Sequence, residues 1–300
     1  MPSKLSVAYF TMEIGLESGI PTFAGGLGVL AADLMRSCAD LGVDAACVTG
    51  CWRYGYLRQE LHPDGTQKYR EVPWDPASKL RKRPETVTVK VEGKDVLVGC
   101  WELPLKGRHG TVPIYFLDTN LPQNAAAERD ITKTLYGGDQ SMRIRQEIVL
   151  GIGGVKMLRA LGYATVDNFH LNEGHSAFLT LELLRERGFK DETVRGSCTF
   201  TTHTPVQAGH DVFPYDLAWR IAGDQLPWHI KAIAGEDALS MTRLAMNLCH
   251  KTLGVSRVHA AVSRRLLSNP AVDSITNGVH HVEWAGPEMQ ALYDVRIPGW

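Results

Sequence analysis

Short runs of apolar and β-branched residues alternate along this chain with segments of helical periodicity, a pattern that predicts an α/β domain on a mostly parallel sheet. Residues 6–10 form the first predicted strand. Residues 26–41 follow with Leu30, Leu34 and Leu41 separated by small residues, which predicts a helix ended near Gly42. Residues 45–49 return as a strand. From Arg53 to about Thr111 the pattern changes: Pro63-Asp64-Gly65 marks a turn, Pro73 and Pro76 bracket a loop, and residues 86–91 and 96–103 flank Glu92-Gly93-Lys94-Asp95. Antiparallel hairpins inserted into the α/β frame are expected there. Residues 112–118 resume the core pattern. Residues 139–161 predict a long helix whose Gly151-Ile152-Gly153-Gly154 run marks close packing, since a glycine weakens a helix by about 1 kcal/mol. Residues 169–172, 197–202 and 274–277 read as further strands, each ending in polar residues, and no internal repeat is found.

Composition narrows the function classes. In 300 residues, 32 Lys and Arg stand against 33 Asp and Glu, and the densest basic stretch, residues 79–83, is short and beside a proline. Nucleic acid is therefore not expected as the partner, because its binding rests on clustered cations that release counterions. The 44% hydrophobic content excludes a disordered chain. Cys38, Cys47, Cys51, Cys100, Cys198 and Cys249 show no Cys-x-x-Cys pair, which fits reduced, mostly buried thiols and a cytoplasmic protein. No apolar stretch approaches the roughly 18 residues of a membrane span, and residues 7–10 are too short for a signal-peptide core.

Polar clusters at the ends of parallel strands are the expected ligand positions of an open α/β sheet. The first is Pro21-Thr22-Phe23-Ala24-Gly25-Gly26-Leu27-Gly28, ahead of the first helix. It reads as a tight turn or as an anion site, because glycines bring backbone N–H groups close and the helix N-terminus adds positive charge. It lacks both the Gly-x-Gly-x-x-Gly spacing and a P-loop Lys. The second, His170-Leu171-Asn172-Glu173-Gly174-His175, misses the zinc-protease spacings by one residue, so no metal site is assigned. The third is Thr201-Thr202-His203-Thr204-Pro205 with His210 beyond it, and the fourth is Ile275-Thr276-Asn277-Gly278-Val279-His280, which is also consistent with a simple Asn-Gly turn. Trp52-Arg53-Tyr54-Gly55-Tyr56 suits either stacking on a sugar or a hairpin core. No paired carboxylates of a glycoside hydrolase and no Gly-x-Ser-x-Gly elbow are present.

Seven motifs run in order through the whole chain: Tyr9-Phe10-Thr11-Met12-Glu13-Ile14, Ala24-Gly25-Gly26-Leu27-Gly28, Leu135-Tyr136-Gly137-Gly138-Asp139, Arg145-Gln146-Glu147, His170 to His175, Thr201 to Val206 and Thr276 to His280. Together they resemble the N-terminal half of the α-glucan phosphorylases, the glycogen/maltodextrin phosphorylase family, especially its shorter bacterial and archaeal branch. The resemblance implies the Rossmann-like N-terminal domain of a GT-B fold over residues 1–300, with a β-rich insertion at about 53–111. It also implies phosphorolysis of an α-1,4-glucan by orthophosphate to glucose 1-phosphate, with pyridoxal phosphate as the cofactor. By that analogy Gly25, Gly26, Leu27 and Gly28 bind the substrate phosphate, and Tyr54 lies against the cofactor. Glu173 and His175 line the glucan site and His250 holds the glucosyl unit as catalytic residues, while Asn172, His203 and Asn277 line the substrate and cofactor.

Starch and bacterial glycogen synthases share the Gly-Gly-Leu-Gly turn and are the nearest alternative. They resemble Lys-Thr-Gly-Gly-Leu-Gly-Asp, whereas Phe23 and Ala24 precede the glycines here. A nucleotide-dependent Rossmann enzyme fits less well, because Thr49-Gly50-Cys51 offers no acidic residue for a ribose. The family's Schiff-base lysine lies in its C-terminal domain, and no segment here resembles that motif. Leu253 stands where the family usually has Asn. The expectation is therefore a phosphorylase half that needs a C-terminal half or a second chain for activity, or a non-catalytic glucan- and phosphate-binding module. An exposed apolar face would favour self-association into a homo-oligomer.

Overall fold

The structure, a computed structural model, describes residues 4–300. Its first strand, β1 (Lys4–Thr11), is buried at every residue from Ala8 onward, as a central parallel strand must be. Helix α1 (Gly26–Asp40) lays Ala31, Ala32, Met35 and Ala39 on one face of the sheet, where they meet Tyr9 of β1, Cys47 of β2 (Ala45–Gly50) and Ile114 and Phe116. The two expected hairpins differ in kind. β3 (Arg58–Leu61) and β4 (Gln67–Arg70) pair only with each other and lie largely exposed. β5 (Arg81–Val91) and β6 (Lys94–Lys106) continue the main sheet antiparallel to β7 (Thr111–Asp118), and Glu92 and Gly93, with φ of 52° and 74°, make the two-residue turn between them.

After the short α2 (Ala126–Arg129), the long helix runs as α3 (Gln140–Ile148) and α4 (Gly154–Ala160) through a π-helical stretch, Val149–Gly153. The glycines there do mark close packing on the second face of the sheet. A Cβ on Gly151 would stand 2.5 Å from the Leu179 nitrogen, and one on Gly154 would stand 2.6 Å from Phe10. β8 (Thr165–Asn172), α5 (Leu179–Glu186), α6 (Asp191–Arg195) and β9 (Cys198–Thr202) carry the parallel pattern onward. A ribbon of β10 (Val212–Pro214) and β11 (Ala238–Ser240) encloses α7 (Tyr215–Ala222) and α8 (Ile230–Ala234). Then follow α9 (Met241–Leu248), β12 (Lys251–Gly254), α10 (Arg257–Leu266) and β13 (Asp273–Ser274).

The sheet order is β13-β12-β9-β8-β1-β2-β7-β6-β5, parallel from β13 to β7. The strand expected over residues 274–277 is shorter than predicted. β13 ends at Ser274, and Ile275 and Asn277 leave the edge, donating to the carbonyls of Gly254 and Val255. The last helices, α11 (His281–Trp284) and α12 (Pro287–Arg296), follow. This segment returns to the outer side of α1, where Trp284 Nε1 donates to Asp33 (2.7 Å) and His280 Nε2 meets Asp40 (2.9 Å). Among the described residues, no helix is long and apolar enough to cross a membrane.

Two glycine substitutions separate packing from conformational freedom. Gly151→Ala drives a methyl group onto backbone that cannot yield, and an overpacked core typically loses about 1–3 kcal/mol. Gly26→Ala meets nothing within 4 Å and is expected to leave stability unchanged or raise it by up to about 1 kcal/mol. Urea unfolding midpoints test the pair, and equal effects would contradict the packing described.

Candidate functional site

Parallel strands β1, β8, β9 and β12 all deliver their carboxyl ends to one edge, and the polar residues that end them converge there. Asn172, the last residue of β8, donates through Nδ2 to Thr11 Oγ1 at the end of β1 (2.9 Å). Its Oδ1 must then accept, so His203 Nε2, 2.6 Å away, carries the proton. Glu173 follows with φ 68°, a left-handed conformation that a non-glycine residue rarely adopts. The strain is held in place by its carboxylate, which accepts from Thr202 Oγ1 (3.3 Å), His203 N–H (2.7 Å) and Thr204 Oγ1 (3.2 Å). Burial raises the Glu173 pKa and these hydrogen bonds oppose the rise. Burial lowers the pKa of His203 and of His170 to about 4, so both rings are neutral at pH 7. His170 packs at a tilt against Tyr9 with ring centroids 4.9 Å apart and bonds Thr201 Oγ1 at 2.9 Å.

A cavity of about 190 Å³ opens on this edge. Leu30 and Leu34 of α1, Leu253 of β12 and Ile275 form apolar walls, and His170, Asn172, His203 and Asn277 supply polar groups. A cavity of roughly 150 Å³ admits benzene, so this one has room for a single six-membered ring with an apolar face and a few directed hydroxyls. Leu253, the position where the resembling family has Asn, makes that wall apolar. A larger cavity of about 640 Å³ lies outside this edge, between the β10–β11 ribbon, α9 and the end of α10.

The glycine turn adjoins the cavity, because Leu30 stands one helical turn, about 6 Å, above Gly26. Its anion is already present. Glu13, just beyond β1, accepts from the N–H groups of Ala24 (2.6 Å) and Gly25 (3.0 Å), and its other oxygen accepts from Tyr136 OH (2.9 Å). A Cβ on Gly28 would fall 2.6 Å from Phe23 Cβ and 2.8 Å from that carboxylate, so this position has room only for glycine. The Gly25 N–H expected to meet a phosphate is taken by Glu13 in this structure. Gly26 and Leu27, first residues of the helix, keep N–H groups that have no intrahelical acceptor.

Behind Tyr136 lies a buried set of charges. Arg143 bonds Asp211 at 2.6 Å, stands 3.7 Å from Glu147 one turn along α3, and lies over the Tyr136 ring at 4.9 Å. Asp211 is 3.7 Å from His175 Nε2. Burial, and next to it the Arg143 cation, depress the His175 pKa to about 3. Burial and the facing Asp211 hold the Glu147 carboxyl well above its usual range.

Of the residues singled out in the sequence, the structure brings Asn172, Glu173, His203 and Asn277 to one edge, with His175 behind them and residues 25–28 beside the cavity. It does not bring His250 there. His250 is exposed and precedes β12, its N–H donating to Cys198 O at the opposite end of β9, about 16 Å below His203 by strand rise. Tyr54 also stays outside, under the Lys133 ammonium at 4.6 Å, and Tyr56 is the residue that reaches Tyr136. Glu13, Tyr136, Arg143, Glu147 and Asp211 received no role from the sequence. Their signal was a lone carboxylate inside an apolar run at Glu13 and the i,i+4 pair Arg143–Glu147. Among the described residues, no cluster of His, Cys, Asp and Glu forms a metal site.

The neutral His175 gives a pH test. Its folded pKa lies below the ordinary 6.5, so the unfolded chain takes up the proton first and stability is lost as pH falls below about 6.5. At pH 5 this residue alone lowers stability by about 2 kcal/mol relative to pH 7. His175→Gln should flatten the stability profile between pH 7 and pH 5 by that amount, as read by denaturant unfolding. An unchanged slope would contradict a buried neutral imidazole.

Known proteins are similar to this chain in sequence. The family model described as the starch synthase catalytic domain matches residues 8–264. Glycogen phosphorylase of Mycobacterium tuberculosis is 37% identical over 95% of this chain and 38% of its own length. Maltodextrin phosphorylase of Thermococcus litoralis is 35% identical over 96% of this chain and 37% of its own. Glycogen phosphorylase of Aquifex aeolicus is 29% identical over 97% of this chain and 46% of its own. The chain thus spans less than half the length of these relatives. With a Rossmann-like sheet, a glycine turn heading its first helix and a ring-sized cavity at the strand ends, the chain belongs to the glycosyltransferase family of the starch synthase catalytic domain and is homologous to the glycogen and maltodextrin phosphorylases.

Proposed function

We propose that this chain is the glucan- and phosphate-binding part of an α-1,4-glucan phosphorylase, with the terminal glucosyl ring in the cavity of β1, β8, β9 and β12. The observation that carries the reading is the meeting of His203, Asn172 and Asn277 with an apolar wall at that edge, in a chain similar to phosphorylases along nearly its whole length. A sugar ring presents a C–H face and directed hydroxyls, and the cavity offers the counterpart of each. His203 is neutral with its proton on Nε2 toward Asn172, which leaves Nδ1 as an acceptor for a hydroxyl. Glu173 acts by position: its carboxylate is engaged by residues 202–204 and holds the His203 turn. Orthophosphate at the glycine turn meets the N–H groups of Gly26 and Leu27 and competes with Glu13 for those of Ala24 and Gly25.

The resemblance brings pyridoxal phosphate with it, and the residues around this cavity do not fit its covalent attachment. A Schiff base needs a lysine amine, and the cavity is lined by none. Lys133, beside Tyr54, is 3.2 Å from Glu71. These residues suit sugar and phosphate, and the cofactor falls to additional polypeptide, either a continuation of the chain or a second subunit. The family match favours one other reading, transfer from a sugar nucleotide as in starch synthase. Phe23 and Ala24, in place of a lysine ahead of the glycines, leave no cation for the pyrophosphate there.

The test is glucose 1-phosphate formation by the purified chain from glycogen and orthophosphate with added pyridoxal phosphate. No turnover is expected, and turnover in this assay would overturn the assignment of the cofactor chemistry to further polypeptide. Retained binding of a maltooligosaccharide by calorimetry, weakened about tenfold or more by His203→Ala, separates a glucan-binding part from a chain with no glucan site. Binding of a nucleoside diphosphate glucose in place of maltooligosaccharide would favour the synthase reading.

A further inference from the structure

The glycine turn and the histidine-bearing segment, residues 203–211, approach the candidate site from different parts of the chain, and their backbones share no strand pairing. One side chain touches the partners of both. Toward the glycine turn, the Arg143 guanidinium lies 4.9 Å over the Tyr136 ring, and Tyr136 OH donates to Glu13 Oε1 at 2.9 Å. Glu13 Oε2 in turn accepts from Ala24 and Gly25. Toward the other segment, Arg143 bonds Asp211 at 2.6 Å, and Asp211 faces His175 at 3.7 Å. Tyr136 also packs edge-on against His175, with centroids 5.6 Å apart. Glu147 completes the set from the same helix, fully buried and 3.7 Å from Arg143.

We propose that Arg143 is a positioning residue that holds the two halves of the candidate site in register, fixing Glu13 on the glycine turn through Tyr136 and residues 203–211 through Asp211. The proposal rests on the site reading above only for its functional meaning, since the linkage itself is a property of the unliganded chain. Arg143 is the cation shared by Asp211 and Glu147, and a planar guanidinium can stack on Tyr136 while it hydrogen-bonds Asp211 edge-on. A lysine supplies the charge without the plane. Because Tyr136 itself has φ 56°, the loop that carries it is held in a conformation its own residue disfavours, and the ring contact with Arg143 is one of the forces that keeps it there. The groups that face Arg143 are Glu147 on α3, Asp211 after β9, Tyr136 ahead of α3 and His175 after β8, so a change at Arg143 reaches every wall of this charge set.

Amide hydrogen exchange and ring-proton titration of the chain without ligand test the linkage. In Arg143→Met, exchange at Ala24 and Gly25 should accelerate roughly tenfold or more and the His175 ring should titrate at higher pH, with Arg143→Lys restoring the His175 titration but only part of the Ala24 and Gly25 protection. Tyr136→Phe removes only the hydroxyl to Glu13. It should accelerate exchange at Ala24 and Gly25 and leave His175 unchanged, and it serves as the decisive variant if Arg143→Met does not fold. Unchanged exchange at Ala24 and Gly25 in Tyr136→Phe, or in folded Arg143→Met, overturns the proposal. None of these readouts uses glucan or phosphate, so failure to bind either ligand would count against the proposed function and leave this linkage standing.

Discussion

The carboxylate of Glu173 is the tie on which the arrangement of the site depends. It stands in a left-handed turn after β8 and takes three hydrogen bonds from the residues that end β9, so two neighbouring parallel strands finish in one interlocked turn. The β8–β9 ladder and the His170–Thr201 pair join the two strands up to their last residues, and the Glu173 carboxylate extends that link into the turn that carries His203. The strained φ is the local expense of this arrangement, as is common where a backbone must aim a functional group. With His203 fixed, Asn172 can bridge it to Thr11, and the ends of β1, β8 and β9 become one polar floor.

Charge organisation follows a related rule. Three carboxylates at the site are answered by donors fixed by the fold, backbone N–H groups and a tyrosine for Glu13, the His203 turn for Glu173 and Arg143 for Asp211, whereas Glu147 is buried with its carboxyl held well above the usual range. The histidines go the other way, losing their charge to burial. The result is a site with neutral imidazoles toward the cavity and the Arg143–Asp211 ion pair one layer behind, an environment suited to hydrogen-bonding a neutral sugar. It also makes the glycine turn less open to a phosphate than its sequence suggests, because one internal anion already rests there.

The alternation of apolar runs was enough to place the first strand, the first helix, the long helix with its glycine run and the strands that carry the site. These features are local, set by periodicity and by glycines. The short β13 was beyond that signal, since an edge strand with only one neighbour ends where pairing ends, whatever its β-branched content. Asn172, Glu173 and His203 were legible as polar residues closing apolar strands. His250 was given its role by the resemblance alone, and the register of β12 with β9 puts it at the foot of the sheet, a placement that no local pattern signals. Glu13 and Arg143 went unassigned because their partners are distant in sequence, and a buried charge announces only that some partner exists.

The most direct measurement is a crystal structure of the chain soaked with a short maltooligosaccharide. The account predicts a glucosyl ring between Leu30, Leu253 and Ile275 with its hydroxyls on His203, Asn172 and Asn277. Sugar bound instead in the cavity beside the β10–β11 ribbon, with the strand-end cavity empty at saturating ligand, would contradict it.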